Sequence, residues 1–184
     1  MLDGWHDFYA LLGTAAAALV ALLFVAMSIG ATVLNPARAG ATRTFLSPVV
    51  FHYTSVLFVS LIVLIPIHTP LSLGISVGIV AAVGLTYSTV ILARLNRDDV
   101  ADLADHFGYG ASPEVAYAAA LVAAWLLAVR SSAGAAILAG ALLLLLVVNI
   151  RNAWDLTLAF ARRQAELSQQ VRAPENGPSQ PPSP

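Results

Sequence analysis

Five long stretches of the chain carry few charged side chains or none, and they constrain its fold more than any other feature. They lie at about 8–33, 48–66, 70–94, 113–129 and 133–152. One bilayer crossing takes about 20 mostly apolar residues of helix. Hydrophobic residues make up 59% of the chain and charged residues 10%, against roughly 45–50% and about 25% in soluble domains. The sequence therefore predicts an all-α membrane protein with five transmembrane helices that contact the lipid bilayer.

Three of the predicted helices begin with a hydroxyl residue followed by proline. These pairs are Ser47-Pro48, Thr69-Pro70 and Ser112-Pro113. The hydroxyl group can accept a hydrogen bond from a free backbone N–H, and proline lacks an N–H that would be unbonded in the first turn. We therefore expect the second, third and fourth helices to begin at Pro48, Pro70 and Pro113.

The distribution of arginine predicts the orientation of the helices. All nine basic residues are arginine, and eight of them lie after the first span, after the third span or in the C-terminal segment. The ninth, Arg130, lies between the fourth and fifth spans. Because short arginine-rich loops remain in the cytoplasm, the N-terminus is predicted to lie outside and the C-terminus inside.

The chain divides into two predicted regions. Residues 1–161 are expected to form the transmembrane bundle. Residues 162–184 are expected to form a polar, proline-rich, disordered tail, because a segment such as PENGPSQPPSP cannot bury a core.

An acidic segment, NRDDVADLADH at 96–106, separates the third and fourth spans. Val100, Leu103 and Phe107 recur at helical spacing, which predicts a short amphipathic helix on the cytoplasmic surface. Asp102 and His106 are four residues apart and could share a cation, but the spacing matches neither a calcium loop nor a zinc helix motif. A solvated acidic face is the favoured interpretation, and no metal site is predicted.

The composition argues against several classes of function. The chain has no cysteine, and its formal net charge of -1 lacks the basic surface that nucleic-acid binding needs. No carboxylate lies at depth in a span to support a hydrolase. His52 is the one histidine well inside a span, whereas haem ligation across helices usually takes two. The sequence predicts no enzyme, no cofactor and no nucleic-acid partner.

Small residues recur at four-residue intervals on three predicted spans. These residues are Gly13, Ala17 and Ala21 on the first span, Gly74, Gly78 and Ala82 on the third, and Ala136 and Gly140 on the fifth. Small residues allow membrane helices to approach closely. Packing within one bundle is the favoured interpretation, and the alternative is a homo-oligomer interface on the third span.

Polar side chains cluster in the predicted cytoplasmic halves of the spans, where burial is costly. They are Ser28, His52, Tyr53, Tyr87, Ser88, Thr89, Tyr117, Asn149, Arg151 and Asn152.

Three of these residues, His52, Asn149 and Arg151, are candidates for a ligand or ion pathway. His52 and Asn149 are predicted to lie deepest. A structural hydrogen bond from His52 to a neighbouring tyrosine or asparagine is the alternative interpretation. For Arg151 the alternative is an interfacial position, paired with Asp155 four residues later.

Two functions remain open. In the first, copies of the chain assemble into a channel or small permeation unit, with a polar cytoplasmic-side layer and an apolar gate. In the second, the chain is a non-catalytic accessory or regulatory subunit of a larger membrane complex.

The first span, GTAAAALVALLFVAMS preceded by Trp5 and Phe8, resembles the opening of uncharacterised small bacterial multipass inner-membrane proteins. The resemblance covers about the first 30 residues and, more loosely, the region of Tyr109, Pro113 and Tyr117. Some of those proteins are labelled modulators of a membrane protease. The resemblance implies a bacterial inner-membrane location and transfers no functional residue.

Overall fold

The computed structural model describes residues 3–30, 39–66, 69–95 and 111–172, and the regular structure in these ranges is helical. A short 3-10 turn, Asp3–Trp5, precedes α1 (His6–Gly30). The remaining helices are α2 (Ala39–Leu64), α3 (Pro70–Leu95), α4 (Ser112–Ala128) and α5 (Ala133–Arg172). Within the described residues, the predicted all-α class with five long helices is confirmed. The predicted amphipathic helix at 96–106, with Asp102 and His106, lies outside the described residues.

Three of the helices contain segments long and apolar enough to cross a membrane: His6–Ser28, Pro70–Ala93 and Ala133–Leu158. Two shorter apolar segments, Pro48–Leu64 and Ser112–Ala128, accompany them. Large apolar side chains such as Phe24, Ile79 and Trp125 are exposed on the outside of the bundle. An apolar exterior is suited to lipid, so the chain is a multipass membrane protein with three candidate spans.

The predicted start of α3 is confirmed. Thr69 precedes the helix, and its Oγ1 accepts a hydrogen bond from the Ser72 N–H at 3.1 Å. The Ser72 hydroxyl in turn donates to the Thr69 carbonyl oxygen at 3.0 Å. These bonds satisfy donors in the first turn, which is the role expected of a residue just before a helix.

The predicted start of α2 is wrong. α2 begins at Ala39, so Pro48 lies inside the helix rather than at its first turn. A proline there removes one backbone hydrogen bond, a loss that a buried position in a membrane bundle can tolerate, and Pro48 is buried.

The predicted start of α4 is confirmed to within one residue, because the helix begins at Ser112 and Pro113 lies in its first turn. The predicted cap is wrong, since Ala111 occupies the capping position and no side chain caps the helix.

Helices that follow one another run in opposite directions. A Cβ at Gly13, early in α1, would lie 3.1 Å from the Cβ of Ser60, late in α2. Gly74, early in α3, lies against Ala128 at the end of α4. The Tyr9 hydroxyl of α1 donates to the carbonyl oxygen of Ala135, in the first turn of α5, at 2.8 Å. The starts of α1, α3 and α5 therefore share one end of the bundle, here called the α1 end, with the ends of α2 and α4.

The turn between α4 and α5 closes a tight helical hairpin. The Ser131 N–H donates to the Leu126 carbonyl at 2.8 Å, and the Arg130 N–H donates to the Leu127 carbonyl at 3.1 Å. This is a Schellman arrangement, which usually has glycine at the left-handed position. Arg130 occupies that position with φ 61°, a conformation that costs a non-glycine residue roughly 1–2 kcal/mol.

The small residues of α3 pack within the chain. A Cβ at Gly74 would lie 2.6 Å from the carbonyl oxygen of Ala124, and one at Gly78 would lie 3.6 Å from the Ala124 Cβ. The proposed homo-oligomer stripe on this helix is thus already covered by α4 at two of its three positions, and Ala82 is exposed. On α5, by contrast, nothing lies within 4 Å of a Cβ at Gly140.

α5 is much longer than a bilayer crossing requires. Its 40 residues end at Arg172. The helix therefore continues past position 161, the predicted last residue of the transmembrane bundle, into the predicted tail. Every described side chain from Thr157 onward is exposed. We call residues 157–172 the α5 arm. The segment after Arg172 lies outside the described residues.

Candidate functional site

The centre of the candidate site is a hydrogen bond between His52 of α2 and Tyr117 of α4. The His52 Nδ1 and the Tyr117 hydroxyl oxygen are 2.9 Å apart, and His52 is 1% exposed. The tautomer of the imidazole decides which group donates. The Ser55 hydroxyl, one turn along α2, instead donates to the Phe51 carbonyl oxygen at 2.9 Å. The bond between His52 and Tyr117 therefore links α2 to α4.

Gly84 of α3 provides the space that the Tyr117 ring occupies. A Cβ at position 84 would overlap the ring atoms Cε1, Cζ and Cδ1 of Tyr117. On the other side of the histidine, Tyr87 lies edge-on, with ring centroids 6.2 Å apart. The Tyr87 ring also contacts Phe51, with centroids 4.4 Å apart. Three helices thus fix the position of the imidazole.

Asn149 lies on the buried seam of α5. The seam comprises Ala135, Leu138, Leu142, Leu145, Asn149 and Asn152, all buried and alternately three and four residues apart. Such spacing keeps one helix face against its neighbours. The Asn149 Nδ2 donates to the Leu145 carbonyl oxygen at 2.8 Å, so its amide group is held along the helix.

Depth along the bundle can be compared from the contacts and the helical rise of about 1.5 Å per residue. Tyr9 and Ala135 are level at the α1 end, so Asn149 lies about 21 Å from that level. Gly13, four residues or about 6 Å beyond Tyr9, is level with Ser60. His52 is eight residues, about 12 Å, before Ser60, so it lies about 18 Å from the Tyr9–Ala135 level. Asn149 and His52 therefore share nearly one depth.

Other buried polar residues fall at the same depth. Tyr53 adjoins His52 in the chain, and Ser88 is one turn beyond Gly84, the glycine against which Tyr117 lies. We call His52, Tyr53, Ser88, Tyr117 and Asn149 the buried polar layer. All five side chains are buried, and α2, α3, α4 and α5 each contribute.

Three oxygen atoms in this layer have no hydrogen-bond partner among the residues that the structure describes. They are the Tyr53 hydroxyl, the Ser88 Oγ and the Asn149 Oδ1. Ser60 has the same property but lies nearer the α1 end. A buried polar group without a partner is costly, and more so where lipid surrounds the bundle.

The structure separates the three sequence-predicted site residues. His52 and Asn149 lie in the buried polar layer, whereas the Arg151 side chain is 67% exposed. The Arg151 Nε is 4.0 Å from the Asp155 Oδ2, one turn along the helix, so the predicted pair is present. Arg151 therefore lies on the surface at the same end of the bundle and not among the buried groups.

Two further polar residues predicted for the layer are also exposed. The Ser28 hydroxyl donates to the Phe24 carbonyl, and the Thr89 hydroxyl donates to the Leu85 carbonyl, each at 2.9 Å. Both bonds stay within one helix. The layer therefore draws on four helices and not on the predicted five, because Ser28 was the residue expected from α1.

Tyr9 is a buried polar residue that the sequence reasoning missed. Its ring packs against Phe8, with centroids 5.3 Å apart, and its hydroxyl joins the first helix to the last. A signal was present in the sequence, because Tyr9 shares a helix face with Gly13 and Ala16. A tyrosine in line with small residues points toward a neighbouring helix and not toward lipid.

Among the residues that the structure describes, no group of three or more His, Asp and Glu side chains is arranged to hold a metal ion. Comparison with protein-family models, with curated proteins and with solved structures finds no match. Any function must therefore be inferred from the side chains themselves.

Substitution of Gly84 tests whether the Tyr117 ring depends on the space there. We expect Gly84→Ala to lower the free energy of unfolding in detergent by about 1–3 kcal/mol, because the added methyl group overpacks the core. Gly140→Ala is the matched control, since its Cβ would meet nothing within 4 Å. That variant should keep or slightly raise stability. Equal losses in the two variants would contradict this account of Gly84.

Proposed function

We propose that the chain crosses the bacterial inner membrane five times, with the α1 end outside and the α5 arm in the cytoplasm. The alternating helix directions support five crossings, with α2 and α4 as shorter spans. The arginine distribution supports the orientation. The resemblance of the first span to small bacterial inner-membrane proteins supports the location.

Within that membrane, we propose that the protein is a non-catalytic accessory subunit that binds a larger membrane complex through the α5 arm. The observation that carries this proposal is the arm itself, a helix of sixteen residues whose described side chains are all exposed. Most helical stability in proteins comes from packing, and no described side chain of the arm is buried. A partner that covers the arm would supply the missing contacts.

The sequence of the arm is suited to a partner protein. It reads TLAFARRQAELSQQVR and places Phe160, Leu167 and Val171 at helical spacing among polar and charged residues. An amphipathic helix of this kind can lie in an apolar groove of another protein. A membrane protease is the class of partner that the resemblance suggests.

A homo-oligomeric channel is the second candidate function. The buried polar layer favours it, because unpartnered oxygens at one depth are unusual in a bundle with only a structural role. In that model His52 and Asn149 border the pathway on the cytoplasmic side. Arg151 lies at its mouth, and the apolar half near the α1 end acts as the gate.

Single cysteines test the orientation, since the chain has none of its own. Ser132→Cys lies in the α4–α5 turn and Ser168→Cys in the α5 arm, and both positions are exposed. In intact cells a membrane-impermeant maleimide should label position 132 alone. Position 168 should react only after the membrane is permeabilised. The reverse pattern would mean that the bundle is inserted the other way.

Truncation tests the accessory role. A chain ending at Leu158 should fold, because the membrane segment is complete, but should purify in mild detergent without a larger subunit. The matched control ends at Arg172 and keeps the arm. We expect the control and the full chain to retain that subunit in a fixed ratio, measured by mass spectrometry of the intact complex. A full chain that purifies as a lone monomer, or as copies of itself, would refute the role.

Ion flux tests the channel. If the second candidate function is right, the purified chain in proteoliposomes should release a trapped ion faster than empty vesicles do, and Asn149→Leu should lower that rate. Gly140→Ala, on the exposed face of α5, should leave the rate unchanged. Flux equal to that of empty vesicles would eliminate the channel.

A further inference from the structure

The unpartnered hydroxyls of the buried polar layer lack the bond to their own helix that several other hydroxyls of the bundle make. Ser28, Thr54, Ser55, Thr86 and Thr89 each donate to the carbonyl four residues earlier, at 2.8–2.9 Å. Such bonds are the usual arrangement for a hydroxyl on a membrane helix. The Ser88 hydroxyl makes no such bond, although it is 0% exposed. It is therefore available to a partner that is not its own helix.

The three oxygens have complementary bonding capacity. The Asn149 Oδ1 can only accept, whereas the hydroxyls of Tyr53 and Ser88 can both donate and accept. One N–H of the Asn149 Nδ2 donates to the Leu145 carbonyl oxygen, and this bond leaves the amide oxygen without a donor. A partner placed among these atoms must donate to the amide oxygen and accept from at least one hydroxyl.

The layer is also electrically neutral. Its members are histidine, tyrosine, serine and asparagine. Of the described charged residues near it, Arg151 and Asp155 are exposed, and Glu114 is half-buried one turn before Tyr117, outside the layer. An ion in the layer would lose its hydration with no opposite charge among the members of the layer, which is costly. A small neutral molecule with two donors and two acceptors fits instead.

We propose that the buried polar layer is an internal hydration site in which water bridges Tyr53, Ser88 and Asn149. Buried waters usually make two to four hydrogen bonds to groups that lack protein partners. Three such groups occur in this layer, and the helical rise places their residues at similar depths. Together with the His52–Tyr117 bond, the water gives four helices a shared polar contact. This inference concerns the bundle alone and does not depend on the proposed accessory role.

Radiolytic footprinting tests the site, because hydroxyl radicals formed from bound water label the side chains beside it. Tyr53 and Tyr9 form a matched pair, since both are buried, and the Tyr9 hydroxyl is bonded to the Ala135 carbonyl. After an X-ray pulse on the full chain in detergent, mass spectrometry should find Tyr53 labelled several-fold more than Tyr9. Labelling of Tyr53 no higher than that of Tyr9 would overturn the proposal.

Two variants test whether the oxygens share the water. Asn149→Leu removes the acceptor at similar volume and should lower the labelling of Tyr53 several-fold. Ser60→Ala removes an unpartnered hydroxyl outside the layer and should leave that labelling unchanged. If Asn149→Leu does not fold, Ser88→Ala takes its place with the same expected loss. Labelling of Tyr53 that withstands removal of its partner oxygen would also overturn the shared site.

Discussion

Lipid offers no hydrogen bonds, and this constraint governs the placement of polar groups throughout the bundle. A soluble protein can turn an unneeded hydroxyl toward water, whereas a spanning helix must bond it internally or bury it with a partner. The exposed hydroxyls of Ser28 and Thr89 are bonded to their own helices. His52 and Tyr117 instead satisfy each other across two helices. The polar side chains thereby hold together helices that lipid would not drive together.

Close approach of the helix backbones complements those bonds. Hydrophobic burial gives little preference for one helix neighbour over another in lipid, so packing depends on shape. Gly74 lets α3 lie directly on α4, and Gly84 admits an aromatic ring where any side chain would collide with it. Gly13 allows α1 and α2 to approach each other closely, as Gly74 does for α3 and α4. Each of these glycines would destabilise an isolated helix. In the bundle they allow close packing, a role that helix propensity alone does not predict.

The helical class was predictable because hydropathy reports on long apolar helices. His52 and Asn149 are both buried, as expected of polar residues well inside such helices. The start of α3 was predictable because Thr69 makes the local bonds that its sequence favours. The start predicted at Pro48 was wrong, because a hydroxyl–proline pair can also occur inside a helix where the bundle tolerates the loss of one backbone hydrogen bond. The contacts of Tyr117 with His52 and Gly84 join three separate helices. No local pattern encodes such pairing, so those contacts had to be read from the structure.

The bond between Tyr9 and Ala135 has a consequence for how the molecule is made. The two residues are 126 positions apart, so ribosomes working at roughly 5–20 residues per second deliver them about 6–25 seconds apart. During that interval the Tyr9 hydroxyl lacks its bond to α5, because that helix is not yet synthesised. Completion of the bundle is therefore tied to the last crossing. A nascent chain that stops before Ala135 leaves the Tyr9 side of α1 uncovered, and membrane quality-control factors can bind that surface.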